Sequence, residues 1–111
     1  MRRKSQLKNL GHAATLVLQA IAGNIRYGFD IMDVTKLPSG TVYPALSSLE
    51  DQGFVRSTWE SAEIARAEKR PPRRYYEITR DGLRILDATL DRLRLLEELR
   101  RNKISGETGR A

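Results

Sequence analysis

Basic side chains are concentrated in two short segments of the 111-residue chain. The first ten residues contain no acidic residue and four basic ones: Arg2, Arg3, Lys4 and Lys8. Residues 66–74 contain Glu68 and five basic ones: Arg66, Lys69, Arg70, Arg73 and Arg74. Each segment has a net charge of +4 while the whole chain has +6, so the remaining residues have a net charge of −2. Local positive charge of this kind is typical of a surface that neutralises phosphate groups, although solvated charge runs without a ligand are also common.

Few residues could support catalysis or bind a metal. The chain has no cysteine, which excludes disulfides, thiolate zinc sites, iron–sulfur ligation and cysteine nucleophiles, and its single histidine is His12. Asp87 and Asp91 lie one helical turn apart, but no nucleophile or phosphate-binding loop accompanies them. We therefore expect a protein that is not an enzyme and that has no metal site and no cofactor.

The apolar segment after the basic start imitates a secretory signal peptide, with Ala20 and Ala22 placed as in a cleavage site. Against this interpretation, Gln19 interrupts the apolar run, and cleavage would remove the most hydrophobic helix of a small chain. No stretch approaches the roughly 18 consecutive apolar residues that a membrane-spanning helix needs. We expect a cytoplasmic, nucleoid-associated protein with no membrane partner.

Apolar spacing predicts two helices before residue 40. The first has apolar residues at i, i+4, i+7, i+8 and i+11 and ends by Gly23. Its buried face consists of Leu10, Ala14, Val17, Leu18 and Ile21. A second, short helix is predicted from residue 27 to about residue 34, and Pro38 and Gly40 follow it as breakers. Its apolar residues are Phe29, Ile31, Met32 and Val34.

A third helix is predicted to end at Gln52, with Gly53 as its stop. Ser39 and Thr41 are both suitable N-caps, and Pro44 favours Thr41 because a proline in the first turn needs no partner for an amide. One side of this helix carries an apolar stripe of Val42, Ala45, Leu46 and Leu49. The opposite side offers mainly hydroxyl groups and is uncharged from Thr41 to Ser48. It carries Thr41, Tyr43, Pro44, Ser47, Ser48 and, at its end, the acidic Asp51.

Two alternating segments, 54–60 and 74–79, predict an antiparallel hairpin. The connection 61–73 is long for a hairpin, basic in its second half and stiffened by Pro71 and Pro72, so we expect it to be a loop. Trp59 is predicted to be a core residue of the hairpin.

A final helix is predicted from Thr79, its N-cap, to about Arg101, with a flexible tail at 102–111. Such a helix is about 30 Å long, comparable to the diameter of the domain, which cannot cover its whole apolar side. The exposed leucines then need a partner, most simply a second copy of the chain. The predicted dimerisation residues are Leu83, Leu86, Leu90, Leu93 and Leu96.

Three helices, a hairpin with a basic tip and a long last helix together predict a winged helix-turn-helix: mainly α, with a two-stranded β-hairpin. We divide the chain into a basic arm (1–9), a DNA-binding domain (10–79), a dimerisation helix (80–101) and a tail (102–111). In this fold the third helix enters the major groove of double-stranded DNA, while the basic wing contacts phosphates.

The sequence resembles the PadR family of bacterial transcriptional regulators over about residues 10–100. Four segments support the resemblance: YGFDI (27–31), LPSGTVYPAL (37–46), LEDQGFV (49–55) and RRYYEITRDG (73–82). The third of these occurs in many winged helices, whereas the SGTVYP block is more specific.

The resemblance implies a homodimeric repressor that binds a pseudo-palindromic operator and dimerises through the last helix, assisted by the first. It also implies the short subgroup of the family, which leaves little room for an effector domain. Combined with the exposed side of the third helix, it gives a set of expected DNA-binding residues: Tyr27, Ser39, Thr41, Tyr43, Pro44, Ser47, Ser48, Lys69, Arg70, Arg73 and Arg74.

Two alternatives from other classes remain open. One is a small-molecule sensor at the dimer interface, which the sequence does not support because the last helix has no aromatic residue. The other is a protein-interaction module that uses the leucine-rich last helix to bind a different partner.

Overall fold

The computed structural model describes residues 10–110, and side chains as far as Lys103. The basic arm, with Arg2, Arg3, Lys4 and Lys8, lies outside the described residues. The described elements follow in the order α1 (His12–Ala22), α2 (Gly28–Thr35), α3 (Ser39–Asp51), β1 (Val55–Trp59), α4 (Ala62–Ala67), β2 (Arg74–Ile78) and α5 (Arg80–Arg110). The mainly helical fold with a two-stranded antiparallel hairpin and a long last helix is therefore confirmed.

The core lies where α1, α2 and α3 meet the hairpin and the start of α5. The apolar stripes predicted for α1 and α3 are confirmed, since their largest members are buried and pack together. Each fully buried side chain of this size contributes roughly 1.5–3 kcal/mol relative to an exposed one. The fully buried residues of the cluster are Val17, Leu18, Ile31, Val42, Leu46, Leu49 and Val55. Burial of one side of α3 leaves its opposite side at the surface.

The start of α3 differs from the prediction. Pro38, in extended conformation with φ −75°, occupies the N-cap position, and its carbonyl accepts the amides of Thr41 at 2.9 Å and Val42 at 3.0 Å. Thr41 is therefore inside the helix rather than its cap. Pro44 lies beyond the first turn and, because it has no N–H, leaves the Gly40 carbonyl without its usual helical donor.

The hairpin pairs Val55 with Ile78, Ser57 with Tyr76 and Trp59 with Arg74. The connection predicted to be a loop contains α4, whose N-cap Ser61 accepts the Ile64 amide at 3.2 Å. Trp59 has 64% of its surface exposed, so its prediction as a core residue is wrong. The reason is its place at the last position of β1, beyond the reach of the helical core.

The junction between the hairpin and α5 is tight. The Thr79 hydroxyl accepts the Gly82 amide at 3.0 Å, which confirms Thr79 as the N-cap of α5, and donates to the Gly53 carbonyl at 2.7 Å. A Cβ atom at Gly82 would collide with the Phe54 carbonyl oxygen. The close approach of α5 to the backbone directly before β1 therefore requires glycine at this position.

The long helix α5 packs against the domain only along its first part. Leu86 is 4% exposed and belongs to the core of its own chain, so its prediction as a dimerisation residue is wrong. Leu90 also packs partly against that core, whereas Leu83, Leu93 and Leu96 are exposed. The helix continues to Arg110, past the end predicted near Arg101, so there is no helix boundary at residue 102.

Candidate nucleic-acid interface

The exposed side of α3 presents a continuous, uncharged surface. Ser39, Pro44, Ser47 and Ser48 are exposed, and Thr41 is half-buried beside them. Hydroxyl groups both donate and accept hydrogen bonds, so they can contact base edges or phosphates, but they do not make the bidentate contacts of Arg or Asn. The Ser48 hydroxyl also accepts a hydrogen bond from the Gln52 side chain at 3.2 Å.

Tyr43 joins this surface to α2. Its side chain is 42% exposed and crosses the start of α2 at Gly28. A Cβ atom at Gly28 would lie 2.5 Å from the Tyr43 hydroxyl and 2.9 Å from the ring, so this contact requires glycine. The pair cannot be predicted from the sequence, because nothing in the spacing of residues 28 and 43 indicates that they meet.

Tyr27 lies at the joint between the α1–α2 turn and the hairpin. The Arg73 guanidinium stacks over its ring at 4.3 Å from the centroid, and Phe29 packs edge-on at 5.6 Å. Tyr27 also forms an isolated β-bridge with Tyr75. Both Tyr27 and Arg73 are only half-exposed, and the Arg73 Nε is buried without a hydrogen-bond partner among the described residues. The Tyr27 and Arg73 side chains therefore pack against each other and are also partly exposed to solvent.

The wing consists of β1, β2 and the connection 61–73 between them. Arg70 lies in this connection and closes its base. Its two terminal nitrogens contact the Glu60 carboxylate at 2.6 and 3.1 Å, in a bidentate arrangement. The Glu60 side chain is 7% exposed and also accepts the Arg73 amide at 3.2 Å. The hydrogen bond from Arg70 lowers the pKa of Glu60 below the ordinary carboxyl value of 4.5, against the opposing effect of burial. The Arg70 charge is therefore already paired within the chain.

Arg74 lies opposite Trp59, at the same end of the hairpin as Glu60, and its side chain reaches α3. Its terminal nitrogen donates to Glu50 of α3 at 3.1 Å and to the Ser57 hydroxyl at 2.9 Å, and its Nε donates to the same hydroxyl at 3.0 Å. Ser57 in turn donates to the second Glu50 oxygen at 2.6 Å. Three elements, α3, β1 and β2, meet at this triad.

Three cations of the basic segment have no ion pair among the described residues. Arg66 in α4 and Lys69 after it are exposed, whereas Arg73 is half-buried over the Tyr27 ring. Lys69 adopts a left-handed conformation with φ 57° at the end of the short helix. Arg66 belongs to the basic segment but is not among the predicted DNA-binding residues. Charge alone does not show which basic residues of the segment are paired within the chain and which are not.

A groove of about 290 Å³ lies between α1 and α5, and its lining includes His12, Leu16, Arg92 and Leu93. Its lining combines leucines with polar residues, and Leu93 is one of the residues predicted to form the dimer. Within residues 10–110 no helix is both long enough and apolar enough to cross a bilayer. The same residues contain no cluster of three or more His, Asp or Glu arranged to hold a metal ion.

Comparison with known proteins agrees with this geometry. Residues 17–88 match the transcriptional regulator PadR-like family. A PadR family transcription regulator of Clostridium difficile is similar in structure, with a TM-score of 0.72 and 21% identity over 85% of this chain and 99% of that one. A PadR family regulator of Eggerthella lenta gives 0.65 and 25% over 81% of each chain. A putative transcriptional regulator of Thermoplasma acidophilum gives 0.65 and 21% over 84% and 90%. No curated protein matches the chain at a significant level.

Proposed function

Because the chain belongs to the PadR-like family of transcriptional regulators, we propose that it is a homodimeric repressor that binds a pseudo-palindromic operator. Membership of the family makes it a DNA-binding regulator rather than an enzyme. The proposal extends this to repression, to the operator symmetry and to action on DNA in the bacterial cytoplasm, at the nucleoid.

The exposed side of α3 is the observation that carries the proposal. Its inner side is fixed by three buried residues, Val42, Leu46 and Leu49, so the outer side faces solvent in one orientation. In a helix-turn-helix protein this is the helix that enters the major groove, with its first turns at the base edges. Sequence preference then comes from Tyr43 and Ser47, together with the shape of the DNA.

The wing supplies affinity through its unpaired cations. Arg66 and Lys69 are exposed and have no ion pair among the described residues, whereas the equally unpaired Arg73 stacks over Tyr27, so we assign the phosphate contacts to Arg66 and Lys69. Arg70 pairs with Glu60 instead, and Arg73 stacks over Tyr27, so the role of these residues in the proposal is to hold the shape of the surface. The wing then contributes the part of binding that falls with salt.

The second half of α5 supports dimerisation. Its exposed apolar side chains have no cover within the described chain, and each would contribute roughly 1.5–3 kcal/mol if fully buried. They are Leu93, Leu95, Leu96 and Leu99. A two-fold symmetric dimer would present two copies of α3 to half-sites about 34 Å apart, one turn of DNA.

The test is selection of bound duplexes from a random pool, followed by titration of the selected duplex and a scrambled one at physiological salt. We expect a clear preference for the selected duplex and an inverted repeat within it. Equal binding of both duplexes would contradict a sequence-specific regulator.

Dimerisation is tested by the mass of the protein in solution. The wild type should sediment as a dimer, and Leu93→Asp with Leu96→Asp should give a monomer, whereas the exposed Glu98→Gln should change nothing. A monomeric wild type that also fails to bind DNA would favour the protein-interaction module instead.

A further inference from the structure

Arg74 is half-buried between the wing and α3, in a place where a phosphate contact would compete with bonds it already makes. Its side chain is 41% exposed and that of Glu50 34% exposed. The guanidinium is also 5.6 Å from the Trp59 ring centroid and 5.7 Å from that of Tyr76. Charge-assisted hydrogen bonds of this kind are stronger than neutral ones and fix the planar group in one orientation.

The Ser57 hydroxyl uses all of its hydrogen-bonding capacity within the triad. The Ser57 hydroxyl has one hydrogen, which it donates to Glu50 at 2.6 Å, and two lone pairs, which accept from Arg74 at 2.9 and 3.0 Å. The remaining Glu50 oxygen accepts from Arg74 at 3.1 Å. The carboxylate and the guanidinium therefore determine each other's position.

The three residues come from separate elements. Glu50 lies in the last turn of α3, on the same helix as Tyr43 and Ser47, whereas Ser57 and Arg74 lie on the paired strands of the wing. The triad thus ties the end of the helix that faces DNA to the base of the wing.

We propose that Arg74 is a positioning residue, which acts through Ser57 and Glu50 to fix the wing relative to α3 and thereby sets how well the protein discriminates between DNA sequences. This inference rests on the proposed function and goes beyond it, because it removes Arg74 from the expected phosphate contacts. It also gives the acidic Glu50 a favourable role in DNA binding, although its charge repels phosphate.

The sign of the Glu50 effect makes the inference testable. Removal of an acidic charge near DNA should by itself strengthen binding to every duplex. If Glu50 positions the helix, Glu50→Gln should instead lower the preference for the selected duplex over the scrambled one by about fivefold. Arg74→Lys keeps the charge but loses the planar fork, and we expect a loss of preference of similar size.

Two matched variants serve as controls. Asp51→Asn removes a neighbouring acidic charge from the exposed end of α3, and Arg56→Lys changes an exposed arginine of the hairpin. Both should leave the preference within about twofold of the wild type. The double variant Glu50→Gln/Arg74→Lys should lose no more preference than either single variant, because both break the same contact.

Trp59 allows the triad to be measured without DNA, since it is the single tryptophan of the chain and lies beside Arg74. Glu50→Gln and Arg74→Lys should each change its emission, and the double variant should add nothing further. Asp51→Asn should leave the emission unchanged. Additive changes in the double variant would overturn the contact itself.

The remaining outcomes separate the two hypotheses. A wild type that binds selected and scrambled duplexes equally would overturn the proposed function, and this inference with it. A discriminating wild type whose preference is unaffected by Glu50→Gln and Arg74→Lys would overturn the inference alone. The inference would also fail if Arg74→Gln lowered the salt dependence by about one phosphate contact, since Arg74 would then bind the backbone directly.

Discussion

The exposed side of α3 and the base of the wing differ in what their side chains already contact. On α3, the uncharged groups of Tyr43 and Ser47 face solvent. At the base of the wing, Arg70 and Arg74 each carry a positive charge, yet both are paired with carboxylates of the same chain. The region whose sequence is most typical of a phosphate-binding surface therefore has much of its positive charge in ion pairs within the chain.

This difference separates two properties of a basic segment that its sequence alone does not distinguish. Net charge attracts a polyanion from a distance, whereas a contact needs a side chain that is free to make it. Arg66 and Lys69 have that freedom, whereas Arg70 and Arg74 are held by hydrogen bonds of 2.6–3.1 Å to carboxylates. Substitutions in the two regions should accordingly change different properties of binding.

The largest effect is expected on α3. Ser47→Ala with Tyr43→Phe removes two hydroxyl groups from the exposed side while the Tyr43 ring keeps its contact with Gly28. If both hydroxyls read bases, the preference for the selected duplex should fall by about 5- to 150-fold, because each of the two lost hydrogen bonds contributes roughly 0.5–1.5 kcal/mol. Titration of the selected and scrambled duplexes measures this preference.

The control for that pair is Thr58→Ala, which removes an exposed hydroxyl from β1. Its preference should equal that of the wild type. An equal loss of affinity for both duplexes in the α3 variant would show that the two hydroxyls contact the backbone and that the contrast between the regions is wrong.

A smaller and sequence-independent effect is expected for the unpaired cations of the wing. Arg66→Gln with Lys69→Gln should weaken binding to both duplexes by the same factor, and the slope of log affinity against log salt should fall by up to about two units. Affinities measured at several salt concentrations give the slope. An altered preference with an unchanged slope would place these residues at base edges instead.

Arg70→Gln should behave differently from that pair, although it also removes one positive charge. Since the guanidinium is committed to Glu60, the salt slope should change by less than half a unit, compared with about one for a phosphate contact. The wing connection should become more open, and trypsin should cleave after Arg66 and Lys69 faster than in the wild type. A slope that falls by a full unit with unchanged cleavage would assign Arg70 to the DNA.

The elements of the fold could be predicted from the sequence because their signals are local. The apolar period of α1 and α3, the alternation of the hairpin and the Thr79 cap each depend on residues close in sequence, and the structure confirms them. Helix α4 was missed because six residues are too few for a helical period to show. Its N-cap Ser61 is the signal that could have found it.

The candidate site was less predictable because its decisive contacts are between distant residues. Glu50 and Arg74 are 24 positions apart, and Glu60 meets Arg70 across α4. Neither pairing follows from composition or from spacing along one element. Leu86 was assigned to the dimer for a related reason: the leucine stripe of α5 is continuous in sequence, and only the packing of α1 and α3 shows where the core ends.

The smallest expected effect is the response of the wing to acid. The hydrogen bond from Arg70 lowers the pKa of Glu60 below 4.5 in the folded protein, so the carboxylate form favours folding. Its contribution is fully present above the unfolded pKa, and it is lost as the pH falls through the folded value. At neutral pH, Glu60→Gln should therefore be less stable than the wild type, and the difference should shrink as the pH is lowered from about 5 towards 3.

Urea unfolding across this range measures the difference in stability. The control is Glu63→Gln, which changes an exposed acidic residue in the first turn of α4. A difference between wild type and Glu60→Gln that stays constant down to pH 3 would show that the Arg70 pairing does not depend on the Glu60 charge, and the base of the wing would then differ from α3 by packing alone.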